Sequence, residues 1–228
     1  MPTDYCRLRV TFSKQGRIKY SSHLDLARAW ERSLRRARVA LAYSQGFNPR
    51  PKLQLAAALP LGHTGGAELL DMWLEAEMAV SDFVTALPPV LPDGLTIGRV
   101  RRVSLEEPAL QTRVEAAEYR VSVEWGEPAG EVALRIERVL AARELPWERR
   151  GRRRDLRPLI EGLWLDGMEK NQVVLGMRLA ARAGATGRPE PVLGALGMEQ
   201  AFARYHRRRL ILAPWTEEAA QGASSHEP

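Results

Sequence analysis

Polar and apolar residues alternate along Arg7-Leu-Arg-Val-Thr-Phe12. That period of two marks a strand with one buried face. Ser13-Lys-Gln-Gly16 reads as the turn after it. Ser22-His23-Leu24-Asp25 then places a hydroxyl residue three positions before an acid, the capping-box signature of a helix start. From there the period changes. Leu24, Ala27, Trp30, Leu34 and Ala37 are spaced for one helical face, with Arg28, Arg32, Arg35 and Arg36 on another. Leu53 to Leu61 has strand character, Gly62 to Gly66 is a turn, and Glu68 to Glu75 is a further strand candidate that could also form a helix. Val80 to Leu87 reads as a short helix capped by Ser81 and stopped by Pro88-Pro89. Leu95 to Val103 alternates again.

The same order then recurs. Residues 104–117 show no period and read as a linker. A strand over 118–125 is followed by a helix over 130–143, with Val132, Ile136, Val139 and Leu140 inward. An extended region runs from Trp147 to Leu165, a strand over 173–179, a short helix over 191–196 and a last strand over 203–212. Strand, helix, strand, strand, helix, strand is the ferredoxin-like order. The expected fold is therefore α+β, two tandem ferredoxin-like (βαββαβ) units with antiparallel sheets. The first spans 1–104, a linker 105–117 and the second 118–213, with a disordered tail over 214–228.

One stretch fits neither period. Tyr43-Ser-Gln-Gly-Phe-Asn-Pro-Arg-Pro-Lys52 is too polar for a core. Gly46 frees the backbone for positive φ, and Pro49 and Pro51 fix φ and push their neighbours into extended conformations. A stiff extended segment results, able to hold Tyr43, Gln45, Phe47, Asn48, Arg50 and Lys52 in fixed directions. An aromatic, amide and cation set suits nucleic acid, carboxylate or phosphate. The alternative is a rigid surface turn joining two elements.

Charge narrows the choice. The net charge is +6, and of 34 basic residues only Lys14, Lys19, Lys52 and Lys170 are lysines. Arginine binds phosphate in a bidentate fork and stacks on bases. Arg149-Arg-Gly-Arg-Arg-Arg154 and Arg207-Arg-Arg209 are further basic clusters. Alternation along an extended segment would split the first between two faces of a ribbon. The single cysteine, Cys6, excludes an internal disulfide and a cysteine-built metal or iron–sulfur site. His23, Asp25 and His63 match no common metal signature, so no metal and no cofactor is expected. No apolar run approaches the roughly 18–20 residues of a membrane span, and the N-terminus lacks the layout of a signal peptide, so the chain is expected to be cytoplasmic.

Taken together, Tyr20-Ser-Ser-His-Leu-Asp25, Tyr43 to Lys52, Leu59-Pro-Leu-Gly62 with Glu68, and Asp155-Leu-Arg-Pro158 resemble the radical-SAM-linked protein family. This is an uncharacterised domain found beside, or fused to, cobalamin-binding radical SAM proteins. The resemblance covers roughly residues 5 to 213 and implies a radical SAM partner. Genes of that family tend to sit near ones for ribonuclease and ribosomal proteins, which points toward RNA. Radical SAM chemistry needs three cysteines, so any such chemistry would belong to the partner.

The main functional expectation is an RNA-binding accessory module that presents structured RNA, tRNA or rRNA, in a basic groove to that partner. Phe47 would stack, and Gln45 and Asn48 would read edges. Arg50, Lys52, Arg150, Arg152, Arg153, Arg154 and Arg208 would hold phosphates. The second reading is a metal-independent endoribonuclease, since tandem ferredoxin-like proteins that cleave CRISPR RNA resemble this layout. It would use His23 as base, Arg50 or Lys52 for phosphate, and Tyr43 or Tyr20 to orient the sugar. Alternatively His23 and Asp25 only bond the capping turn and the stiff segment together, and Asp155 only pairs with Arg157 or a neighbour. A third reading is a protein–protein adaptor for the radical SAM partner.

Overall fold

The computed structural model describes residues 5–149 and 151–216. The architecture is mixed, with mostly antiparallel strands and few helices. The chain divides into two compact units, Met1–Val114 with Leu212–Pro228, and Glu115–Ile211.

In the first unit β1 (Cys6–Lys14) pairs antiparallel with β4 (Leu95–Val103) on one side and β3 (Thr64–Leu74) on the other. β2 (Leu53–Leu55) takes the far edge of β3. The unit's order is thus β4-β1-β3-β2. β2 is shorter than the run over 53–61, and β3 starts at Thr64, inside the glycine-rich stretch read as a turn. Leu8, Val10 and Phe12 of β1 and Leu70, Met72 and Leu74 of β3 alternate onto one face. There they meet Trp30 and Leu34 of α1 (His23–Arg36) and Phe83 of α2 (Val80–Ala86). Phe12 and Trp30 pack edge to face, ring centroids 5.0 Å apart.

Ser22 forms the full capping box with Asp25. The buried stripe of α1 is Leu26, Ala29, Trp30, Ser33 and Leu34, whereas Leu24 is 66% exposed. At 3.6 residues per turn, six residues back from Trp30 is about 120° around the helix, so Leu24 leaves the stripe. The cap of α2 is Ala79, not Ser81, and it makes no side-chain cap bond.

The alternation of β1 hides a second buried layer. Arg7 and Arg9, expected at solvent, are 2% and 3% exposed. Asp71 of β3, opposite Arg9, accepts from Arg9 Nε at 2.7 Å and from Arg7 Nε at 3.0 Å. Arg9 also reaches Glu107 at 2.7 Å, and Arg7 donates to the carbonyls of Ser104, Glu107 and Pro108. Arg113 completes the cluster through Glu107 and the carbonyl of Ala213. Residues 105–117, read as linker, therefore carry a buried carboxylate, a fully buried Leu110 and the start of the next strand at Val114.

In the second unit β5 (Val114–Glu124) lies between β9 (Gln172–Arg182) and β11 (Ala203–Leu212), and β8 (Ile160–Glu169) takes the far edge of β9, giving β8-β9-β5-β11. β10 (Ala185–Thr186) continues that edge. α3 (Ala129–Ala141) buries Val132, Ile136 and Val139, and α4 (Pro189–Ala195) buries Pro189, Val192 and Leu193. The extended region after α3 is a hairpin, β6 (Pro146–Arg149) with β7 (Arg152–Asp155). Trp164 is 38% exposed and lies across Gly176, where any Cβ would sit about 2.0 Å from the indole.

Candidate nucleic-acid interface

The Tyr43–Lys52 stretch turns back on itself instead of running out straight. Tyr43 bridges to Pro51, Ser44 N–H donates to the Arg50 carbonyl at 2.8 Å, and Lys52 N–H to the Ala42 carbonyl at 2.8 Å. Arg50 N–H donates to Ser44 Oγ at 3.0 Å. Gly46 makes the reversal possible, with φ of 126°, a value that a side chain would strain. Pro49 and Pro51 straighten the returning arm. The base is anchored on β3, as Ala42 N–H donates to the Trp73 carbonyl at 2.8 Å and Trp73 N–H to the Lys52 carbonyl at 3.1 Å.

A recess of about 420 Å³ opens at this base, lined by Ser44, Arg50, Pro51, Lys52, Leu53, Gln54 and Trp73. Arg7 lies over the Trp73 ring, its guanidinium carbon 4.8 Å from the centroid, and Lys52 Nζ lies 4.3 Å from the Tyr5 centroid. The recess is thus cationic and aromatic. Of the expected site residues it gathers Arg50 and Lys52. Gln45, Asn48 and Phe47 are on the exposed tip, with Phe47 exposed in full. Trp73 and Gln54 were not among the expected site residues. The signal for Trp73 was its parity: Leu70, Met72 and Leu74 face the core, which sends Asp71 and Trp73 to the other side of β3.

His23 and Tyr43 are not presented as a pair. His23 is exposed in the first turn of α1. Tyr43 is bonded to Arg35 of the last turn, a contact that, ahead of Glu31, raises the arginine's pKa. Twelve residues of helix separate the two ends, about 18 Å. Asp25 takes the Ser22 hydroxyl at 2.7 Å, and bonds from Ser22 hold its pKa below the usual 3.8. Among the described residues, no group of three or more His, Cys, Asp or Glu side chains is placed to hold a metal.

The second unit carries the remaining expected residues. Arg152, Arg153 and Arg154 are exposed on β7, and Arg150 lies outside the described residues. Arg154 stands opposite Trp147 and Arg153 opposite Glu148, so Arg152 and Arg154 share the Trp147 face and Arg153 the other. Arg208 pairs with Asp166 at 3.1 Å, Arg209 pairs with Glu118 at 2.7 Å, and Arg207 is 2% exposed. That cluster is largely neutralised. Asp155 and Arg157 form a brace without touching through their charges. Asp155 Oδ1 accepts from Leu145 N–H at 2.8 Å and Arg157 N–H at 2.9 Å, while the Arg157 guanidinium donates to the carbonyls of Leu140, at the end of α3, and Ile160. The tail expected from residue 214 lies from residue 217 onward outside the described residues.

The fold and recess define an α+β protein with a basic, aromatic surface site, and no described helix is long and apolar enough to cross a membrane. The chain belongs to DUF2344, a family described as an uncharacterized protein conserved in bacteria, which matches residues 7–189. Comparison with curated proteins gives no match. Among solved structures, a Cbf5-Nop10-Gar1 complex is similar, with a TM-score of 0.51 and 11% identity over 89% of this chain and 48% of that one. An H/ACA RNP bound to a substrate RNA containing 2′-deoxyuridine gives a TM-score of 0.49 and 11% identity over 89% of this chain and 47% of that one. The chain thus spans about half the length of these structures.

Proposed function

We propose that this chain is an RNA-binding accessory module of two tandem ferredoxin-like units, acting beside a radical SAM protein. The strand orders β4-β1-β3-β2 and β8-β9-β5-β11 support the tandem reading, since each places the first and third strands of a βαββαβ unit at its centre. The observation that carries the RNA reading is the recess under the Tyr43–Lys52 loop, where Arg50 and Lys52 stand beside Trp73. Cations for phosphate beside an aromatic ring for bases are what single-stranded binding surfaces use. The exposed Phe47 at the loop tip adds a second stacking face, with Gln45 and Asn48 beside it to read edges. Arg152 and Arg154 supply further phosphate contacts from the hairpin. The substrate class is structured RNA such as tRNA or rRNA. The radical SAM partner follows from the resemblance of the Tyr20–Asp25, Tyr43–Lys52 and Asp155–Pro158 motifs.

The test is fluorescence anisotropy with labelled tRNA and rRNA fragments at rising salt. Affinity is expected to fall with salt, and Arg50→Ala with Lys52→Ala to weaken binding by at least about tenfold. Binding indifferent to both salt and the double substitution would sink the reading. Pull-down of the radical SAM protein with and without nuclease tests the partner separately.

A further inference from the structure

The recess also constrains what part of an RNA it can hold. Its volume of about 420 Å³ is that of a small-ligand cleft. The Trp73 ring has one side taken by the Arg7 guanidinium, so stacking is left to the other. Arg7 is itself locked in place, buried and bonded to Asp71. A base inside a duplex has both faces covered by its neighbours, so only an unpaired base can use an aromatic wall.

Gln54 lines the same recess. Its Oε1 accepts from Leu110 N–H at 3.0 Å, which fixes which way the amide points. The group left to offer the recess is Nε2, a donor. A donor favours a base edge that presents a carbonyl over one that presents an amino group. Arg50 and Lys52 line the same recess and can take the flanking phosphate.

We propose that the recess takes a single unpaired RNA nucleotide with a carbonyl base edge, as uracil offers, stacked on Trp73 and read by Gln54. This rests on the RNA reading above and narrows it to one nucleotide class.

The experiment titrates the full chain with single-stranded oligo(U), oligo(A), and the same oligo(U) annealed to its complement. Tryptophan fluorescence and anisotropy are read for wild type, Trp73→Phe and Gln54→Glu. Oligo(U) is expected to bind at least about tenfold more tightly than the duplex and to quench tryptophan emission, with the quench largely lost in Trp73→Phe. Gln54→Glu keeps an acceptor for Leu110 N–H but removes the donor. It is expected to erase the preference for oligo(U) over oligo(A), a ratio that the added charge alone leaves in place. If Trp73→Phe fails to fold, as a thermal melt would show, this ratio decides alone. Equal affinity for duplex and single strand, a quench kept in Trp73→Phe, or a ratio untouched by Gln54→Glu overturns the inference while leaving salt-dependent RNA binding standing. Binding of no RNA at all overturns both.

Discussion

Asp71 holds two buried guanidinium groups with one carboxylate, accepting from Arg7 at 2.6 Å and from Arg9 at 2.7 Å. Arg101 and Arg113 stand close enough to Arg9 that, after burial itself, its charge is what pushes their pKa values down. The cluster has more cations than anions, so losing an anion is severe. Asp71→Ala is expected to cost about 3–5 kcal/mol in urea unfolding, since it strands two buried charges. A loss below about 1 kcal/mol would show that the cluster is hydrated. Gly46→Ala acts by backbone strain alone, because nothing lies within 4 Å of the added Cβ. It is expected to destabilise the loop by about 1–2 kcal/mol and weaken RNA binding with little change in melting temperature. Loop residues were legible as a group, since proline and glycine act locally. The buried arginines were not: Arg7 and Arg9 alternate with apolar residues as a solvent face does, and their partners lie 62 to 101 positions away. Trp73 was legible by parity, since it alternates with the core residues Leu70, Met72 and Leu74.

At the scale of elements, what the sequence reading placed best was what short-range chemistry decides. The capping box at Ser22 and Asp25 set the start of α1, and β11 spans Ala203–Leu212, the bounds expected for the last strand. The β6–β7 hairpin was harder, because Gly151 with φ of 71° was its only turn signal inside a run of arginines. Asp155 and Arg157 were visible as a pair, yet their joint work is to close the hairpin and cap α3. Backbone bonds from Leu145, then Arg157, hold the Asp155 pKa below its ordinary 3.8. Bonding to Arg209 does the same for Glu118, ordinarily 4.5. A depressed folded pKa gives stability that is complete above the ordinary value and is lost as pH falls through the lowered one. Unfolding free energy is therefore expected to be flat near pH 6 and to decline below about pH 4. Asp155→Asn should decline less steeply there. Chemical denaturation at stepped pH checks this, and identical slopes would remove Asp155 from the account.

At the scale of the whole molecule, net charge is a poor guide to grip. The chain carries +6, but much of its arginine is spoken for. Arg178 and Arg182 share Glu161, Arg135 pairs with Glu127, Arg120 with Glu169, and Arg208 and Arg209 have their own acids. Exposed pairs of this kind add little stability, but they do withdraw charge from a polyanion. On the proposed RNA reading, the cations that meet phosphate are Arg50 and Lys52 at the recess and Arg152 and Arg154 on one face of the hairpin. Each phosphate neutralised on a single strand contributes about −0.7 to the slope of log K against log salt. Four such contacts give a slope of about −3, far less than a count of arginines would. Arg50→Gln with Lys52→Gln should flatten it by about 1.4, and Arg152→Gln with Arg154→Gln by a similar amount, whereas Arg208→Gln should leave it unchanged. Anisotropy from 50 to 300 mM salt measures all three (these concentrations are about the range where such slopes are linear). A hairpin variant with the wild-type slope would confine binding to the recess. A slope that moves with Arg208 instead would mean that the Asp166 pair opens to release its arginine to the RNA.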